Sequence, residues 1–200
     1  MPIVSDAVGL RAQPVRDLGL GVGSGRVIDT GFQSTGPSSG ATIRHVSGIA
    51  EVDEAELQQV VRRSRPHHLV DHIPSSLRPW LLPVSWDRDR LWSIAKPTER
   101  VSVDELRWHY ELPWWRGEDR RWFRVRPAEY LAEPERFPEH DQRVAAADLS
   151  YPLHGFRRRG RVQLLDGIHR LVHADKQGRG HVDVMLLTIE DLSAIVYVDD

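Results

Sequence analysis

The chain has 200 residues, and its 27 lysines and arginines against 29 aspartates and glutamates leave a formal net charge of -2. A chain of this length buries a core without staples, and the absence of cysteine excludes disulfides, thiolate metal sites and a cysteine nucleophile. The charge balance disfavours a protein held on nucleic acid by phosphate neutralisation, and no apolar run or basic-then-apolar leader marks a membrane span or secretory signal, so a cytoplasmic protein with no membrane partner is expected.

Residues 1–45 are rich in glycine and serine and are expected to be flexible. Gly19, Gly21, Gly23 and Gly25 invite a phosphate-loop reading, but the Gly-Lys-Ser/Thr ending is missing. Residues 46–82 form a helical extension, with a helix over 53–64 capped by Asp53 and presenting Leu57, Val60 and Val61 on one face. His68 and His72 have i, i+4 spacing. The prolines on either side, Pro66 and Pro74, favour a short polar helix face over a metal site, and no metal ligand set is assigned.

Residues 83–200 are more organised. A strand is expected over 90–95, followed by a helix from Val103 with Ser102 as cap and Glu105 at the capping-box position. Residues 122–126 read as extended, Pro127 opens another helix, and 142–147 are helical in composition. Strands over 153–156 and 161–165 flank a turn at Arg158-Arg159-Gly160. A helix over 167–176 closes at Gly178, a strand covers 182–187, and Thr188 caps a helix over Ile189–Ile195. The mixed order predicts an α+β fold, a small mixed sheet with helices.

The chemistry concentrates where the strand 161–165 runs into Asp166-Gly167-Ile168-His169-Arg170 and a helix begins. A helix N-terminus offers unpaired N–H groups and a partial positive charge to an anion. Gly167 permits close approach, Arg170 adds a bidentate donor, and His169 adds a second donor able to relay a proton near neutral pH. Asp166 in a tight turn is also an ordinary helix cap.

This stretch, from Val162 to Ala174, resembles the ParB/sulfiredoxin superfamily, and the segment from Ile94 to Leu106 resembles that family's first conserved block. The likeness covers about residues 88 to 190. It implies a ParB/sulfiredoxin-like nucleotide-binding domain over 83–200, carried behind the N-terminal extension. Nucleotide phosphates would sit on Asp166, Gly167, Ile168, His169 and Arg170. The segregation branch of the family binds CTP and has an Arg-Arg pair after Gly-Glu, which differs here. The sulfiredoxin branch needs a cysteine where Ile168 stands. The free-serine kinase branch, with Asp-Gly-His-His-Arg, is closest in motif. The resemblance therefore implies a phosphotransferase using ATP, or another nucleoside di- or triphosphate, with Mg²⁺ on a small hydroxyl-containing metabolite. The alternative is a non-catalytic ParB-like nucleotide- or DNA-binding protein, or a nuclease.

Phosphoryl transfer to a hydroxyl needs a carboxylate to accept the proton. Glu99 stands where the resembled kinases place a glutamate, and Glu99 with His169 are the candidate catalytic residues. His140, Arg143 and Asp148 form a second polar set. Trp114 and Trp115 are adjacent, so they cannot both point inward, and one is a candidate stacking surface for substrate. Arg157 to Arg161 read as a solvated hairpin tip.

Overall fold

The computed structural model describes residues 51–198, and the expectations for 1–45 lie outside them. Seven α-helices and four strands occur there: α1 (Glu54–Arg63), α2 (Arg88–Ser93), β1 (Glu99–Ser102), α3 (Val103–Leu106), α4 (Pro127–Ala132), α5 (Pro138–Ala145), β2 (Leu153–Arg158), β3 (Arg161–Asp166), α6 (Ile168–Lys176), β4 (His181–Leu186) and α7 (Ile189–Ile195). The strands form one mixed sheet in the order β1-β4-β2-β3. β1 runs antiparallel to β4, β4 parallel to β2, and β2 antiparallel to β3. The fold is α+β, as the element order requires. Among the described residues no helix is long and apolar enough to cross a membrane.

Both faces of the sheet are covered, and β4 records this in its sequence. Val182, Val184 and Leu186 enter one core with Val101, Leu106, Tyr130, Leu153, Leu164 and Leu171. Met185 and the following Leu187 enter another with Leu57, Leu91, Phe156, Leu192 and Ile195. A strand buried on both sides must read as a near-continuous apolar run. A smaller cluster of Ile73, Leu77, Leu112 and Phe123 lies under Trp80, Trp108, Trp114 and Trp122.

Residues 51–82 share the second core with the rest of the chain. Leu57 of α1 packs there, Val52 N–H donates to Arg157 C=O, and Arg158 on β2 bonds Glu54. Asp53 caps α1 by accepting from the amides of Ala55 and Glu56. His72 lies in a three-residue 3₁₀ turn, Val70–His72, that excludes His68, so the two histidines do not share one face of an α-helix.

Three expectations are corrected. Residues 90–95 are not a strand, because Asp87 accepts from the amides of Asp89 (2.9 Å) and Arg90 (3.0 Å) and nucleates α2. Ser102 caps α3, but Glu105 turns away from the capping box to meet Arg157 at 3.5 Å. Residues 122–126 bend, with Phe123 at φ 61° and only Val125 bridging back to Trp115.

The β2–β3 hairpin turns on Arg159 and Gly160, at φ 53° and 70°, the paired positive values of the two-residue turn that suits strand twist. The hairpin contains a bulge. His154 pairs with Asp166 but Gly155 pairs with Leu164, so Leu165 is the extra residue. Gly155 is required here by close approach, since a Cβ would lie 2.5 Å from the carbonyl oxygen of Gln163.

Candidate functional site

The bulge sets the direction in which β3 ends. It brings the Asp166 carboxylate against His154 and, from α2, Trp92. The chain then reverses through Gly167 at φ 108°, a left-handed value that favours glycine, and α6 starts at Ile168. Gly167 supplies no side-chain cap, and no hydrogen bond among the described residues ends the amides of Ile168, His169 or Arg170. Three N–H groups at the positive end of α6 are thereby left to solvent or ligand.

Arg170 lies one turn into α6, and its Nη2 donates to Asp166 Oδ2 at 2.7 Å. Trp92 Nε1–H donates to the same oxygen at 3.4 Å, and His154 Nδ1 lies 3.7 Å away. Burial acts to raise the Asp166 pKa, but His154, Arg170 and the Trp92 N–H outweigh it and hold the group at about 2. Asp166 is therefore an anchored carboxylate that fixes Arg170 in place rather than a base. The Nε of Arg170 is buried without a partner, as is Nε of Arg143 on α5.

His169 is enclosed. Its ring stacks on Trp115 (centroids 4.5 Å apart, interplanar angle 5°), and His140 of α5 stacks on the same indole at 4.6 Å. The two imidazole centroids are 5.8 Å apart, too close for opposite faces of the indole, so the rings lie side by side. His140 Nε2 is 2.8 Å from the Arg116 carbonyl and must carry the proton, which makes its Nδ1 the acceptor for His169 Nε2 at 3.5 Å. Burial, with the charges of His140 and Arg143, pushes the His169 pKa down to about 3, and burial lowers that of His140. The expectation that His169 titrates near neutral pH is thus corrected: it is a neutral ring locked in one tautomer.

The remaining sequence candidates divide. Trp115 is brought to the site, buried beneath the histidines, where it packs edge-on against Tyr130. Trp114 points away, donating from Nε1 to the His109 carbonyl at 2.7 Å. The Ile168 side chain packs on the first core, leaving only its amide for a ligand. Arg143 pairs with Glu139 and lies close enough to His169 to depress it. Asp148 accepts from the Ser150 amide at 2.8 Å, and this bond, with a smaller contribution from the Arg170 charge, lowers its pKa. Glu99 begins β1, at the sheet edge opposite β3, and its Oε2 accepts from Arg157 Nη2 at 3.0 Å. No hydrogen bond or ion pair among the described residues joins Glu99 to the turn.

Sequence reasoning missed Arg88, Trp92 and His154. Reading 90–95 as a strand hid the i, i+4 spacing of Arg88 and Trp92 on α2. His154 carried no signal apart from strand alternation. The two cavities that stand out lie elsewhere: one of about 90 Å³ beside Arg158 and Gln163, and a groove of about 770 Å³ between α1 and α7. Compared with protein-family models, curated proteins and solved structures, the chain gives no match.

The donor set at the turn suits an anion. Among the described residues no three His, Asp or Glu side chains converge to hold a metal ion.

Proposed function

We propose that the turn Asp166–Arg170 binds the phosphates of a nucleotide, and that the chain is a ParB/sulfiredoxin-like, Mg-ATP-dependent phosphotransferase acting on a small hydroxyl compound. The observation that carries this reading is the open start of α6. Three unpartnered amides follow a left-handed Gly167, beside an arginine held in place by Asp166. Oriented backbone N–H groups and a fixed guanidinium are what phosphate oxygens require. Phosphoryl transfer asks mainly for such positioning and neutralisation. His169 contributes as a neutral positioning group, and Glu99, which is paired with Arg157, and Asp148 are the carboxylates to test as the base.

A non-catalytic nucleotide binder is the second reading, favoured by the pairing of Glu99 with Arg157. The two separate in one series. ATP with Mg²⁺ at one hundred times its Kd stabilises the fold by about 2.7 kcal/mol, a rise in Tm of roughly 5 to 10 °C for a domain of this size. Arg170→Ala removes the rise. Phosphorus NMR of ATP with a panel of amino acids and sugars then shows a new phosphate ester for the enzyme and none for the binder. Absence of any nucleotide-dependent shift in the wild-type protein ends both readings.

A further inference from the structure

We propose that the cavity enclosed by α1, residues 78–83 and the sheet is a binding site for a small neutral primary amide, with the buried Gln163 as its recognition group. None of the lining residues belongs to the turn Asp166–Arg170, so the inference stands apart from the nucleotide reading.

The cavity has a volume of about 90 Å³. Leu57 and Val61 of α1, Leu82, and Phe156 of β2 line it, with Gln163 of β3 and two arginines, Arg78 and Arg158. Val162 and Leu164 enter the first core, so strand alternation turns Gln163 to the other face, where an apolar side chain would be ordinary. Gln163 is 1% exposed. Its Oε1 is buried without a hydrogen-bond partner, and no hydrogen bond among the described residues involves its Nε2. Burying an unpaired amide is costly, and native interiors pair such groups. The polar neighbours are turned elsewhere. Arg158 donates to Glu54 and to the Pro79 carbonyl, Arg78 Nε donates to the Ile73 carbonyl at 3.0 Å, and Gln58 Nε2 reaches Glu54. The missing partner is a group that donates to Oε1 and accepts from Nε2.

Two guanidiniums on the wall disfavour an ammonium ion, and a carboxylate has no N–H or O–H to give Oε1. The volume corresponds to roughly three water molecules, each of which makes about two to four hydrogen bonds, more than the free polar groups of this largely apolar lining supply. A primary amide presents N–H and C=O side by side. It closes two parallel hydrogen bonds with the Gln163 amide and leaves its alkyl tail to Leu57, Val61 and Phe156. The space is well below the ~150 Å³ that accepts benzene, which limits the tail to a few carbons.

The probe is propionamide, titrated into the full chain by saturation-transfer NMR beside its near-isosteres propanoate and propylammonium. The wild-type protein is expected to bind propionamide in the millimolar range, as befits a ligand this small. It is expected to hold the amide roughly tenfold more tightly than either ion, because a site built on paired hydrogen bonds rejects analogues that leave them unmade. Gln163→Leu removes the amide at similar volume and is expected to abolish binding while the protein stays folded. Val61→Phe fills the cavity from α1 with Gln163 intact and is also expected to abolish binding; it decides the matter if Gln163→Leu fails to fold. Propionamide binding that survives Gln163→Leu, or in its place Val61→Phe, lies elsewhere and overturns the proposal. Propanoate or propylammonium held as tightly as the amide overturns the ligand class. No binding of propionamide to the wild-type protein leaves the cavity to water alone and overturns the proposal outright.

Discussion

His109 makes the stability of this fold sensitive to acid. The residue is fully buried in a short 3₁₀ stretch, Arg107–Glu111, between α3 and α4. Its Nε2 lies 3.0 Å from the amide of Leu164 on β3, and an amide can only donate, so Nε2 must be the acceptor. Nδ1 therefore carries the proton and donates to the Leu106 carbonyl at 2.8 Å. Protonating Nε2 would set two donors against each other in the core. Burial accordingly lowers the pKa from 6.5 to about 4, against the opposing effect of the Leu106 bond. The sign follows from linkage. The unfolded chain takes up the proton at a higher pH than the folded one, so this contribution is fully present above 6.5 and is lost as the pH falls toward 4. Between pH 7 and 4.5 the loss is about 2 kcal/mol, a large share of the roughly 5 to 15 kcal/mol typical of a domain. Urea unfolding followed by tryptophan fluorescence at half-unit pH steps measures it. Compared with the wild type, His109→Gln is expected to be less stable at pH 7 through the lost Leu106 bond, with the gap closing by about 2 kcal/mol by pH 4.5. A gap that stays constant across that interval refutes the assignment of a neutral, two-bonded imidazole.

Two further outcomes test the packing that positions the site. Gly155→Ala sets a methyl 2.5 Å from a backbone oxygen of the neighbouring strand and is expected to cost about 3 kcal/mol in urea unfolding; Gly160→Ala, at φ 70° with open space around it, is expected to cost only about 1 kcal/mol. Arg158 is 7% exposed and donates to Glu54 and the Pro79 carbonyl, whereas Glu54 is 44% exposed. Glu54→Ala strands a buried guanidinium and is expected to destabilise by about 3 kcal/mol, more than Arg158→Met, which leaves a carboxylate free to rehydrate; equal costs, measured by thermal unfolding, would contradict that asymmetry.

The elements from β2 onward were legible because each carries its own boundary signal. Arg159-Gly160 supplies the positive φ values of a tight hairpin, Asp166-Gly167 stops β3, Gly178 follows the end of α6, and Thr188 with Asp191 forms a capping box for α7. Even the Asp166–Arg170 pair was implicit in its i, i+4 spacing. The short elements before β2 were harder. A six-residue helix such as α2 is too brief to show a 3.6-residue period, so Leu91, Trp92 and Ile94 read equally well as strand. The stack of His140 and His169 on Trp115 was not legible, because it joins α5, α6 and the segment before α4 through tertiary packing. The sequence named all three residues without showing that they touch. Nor did it show that Glu99 would be claimed by Arg157, a partner 58 residues away.

The division of charge around α6 decides what the site can hold. Asp166 neutralises Arg170, and Glu139 neutralises Arg143, while Arg88 has no carboxylate partner among the described ion pairs. The two imidazoles add no charge, since both pKa values are depressed. The helix end contributes about 0.3 to 1 kcal/mol to an anion there, and each charge-assisted hydrogen bond from a guanidinium contributes about 1.5 to 3 kcal/mol. The arginines, rather than the open amides, set the affinity on that scale. The amides set the orientation, because only they are fixed by the backbone. Substituting Arg170 should accordingly change how tightly an anion is held, whereas a residue larger than glycine at 167, pressing on Leu153 at 2.9 Å, should change how it is aligned.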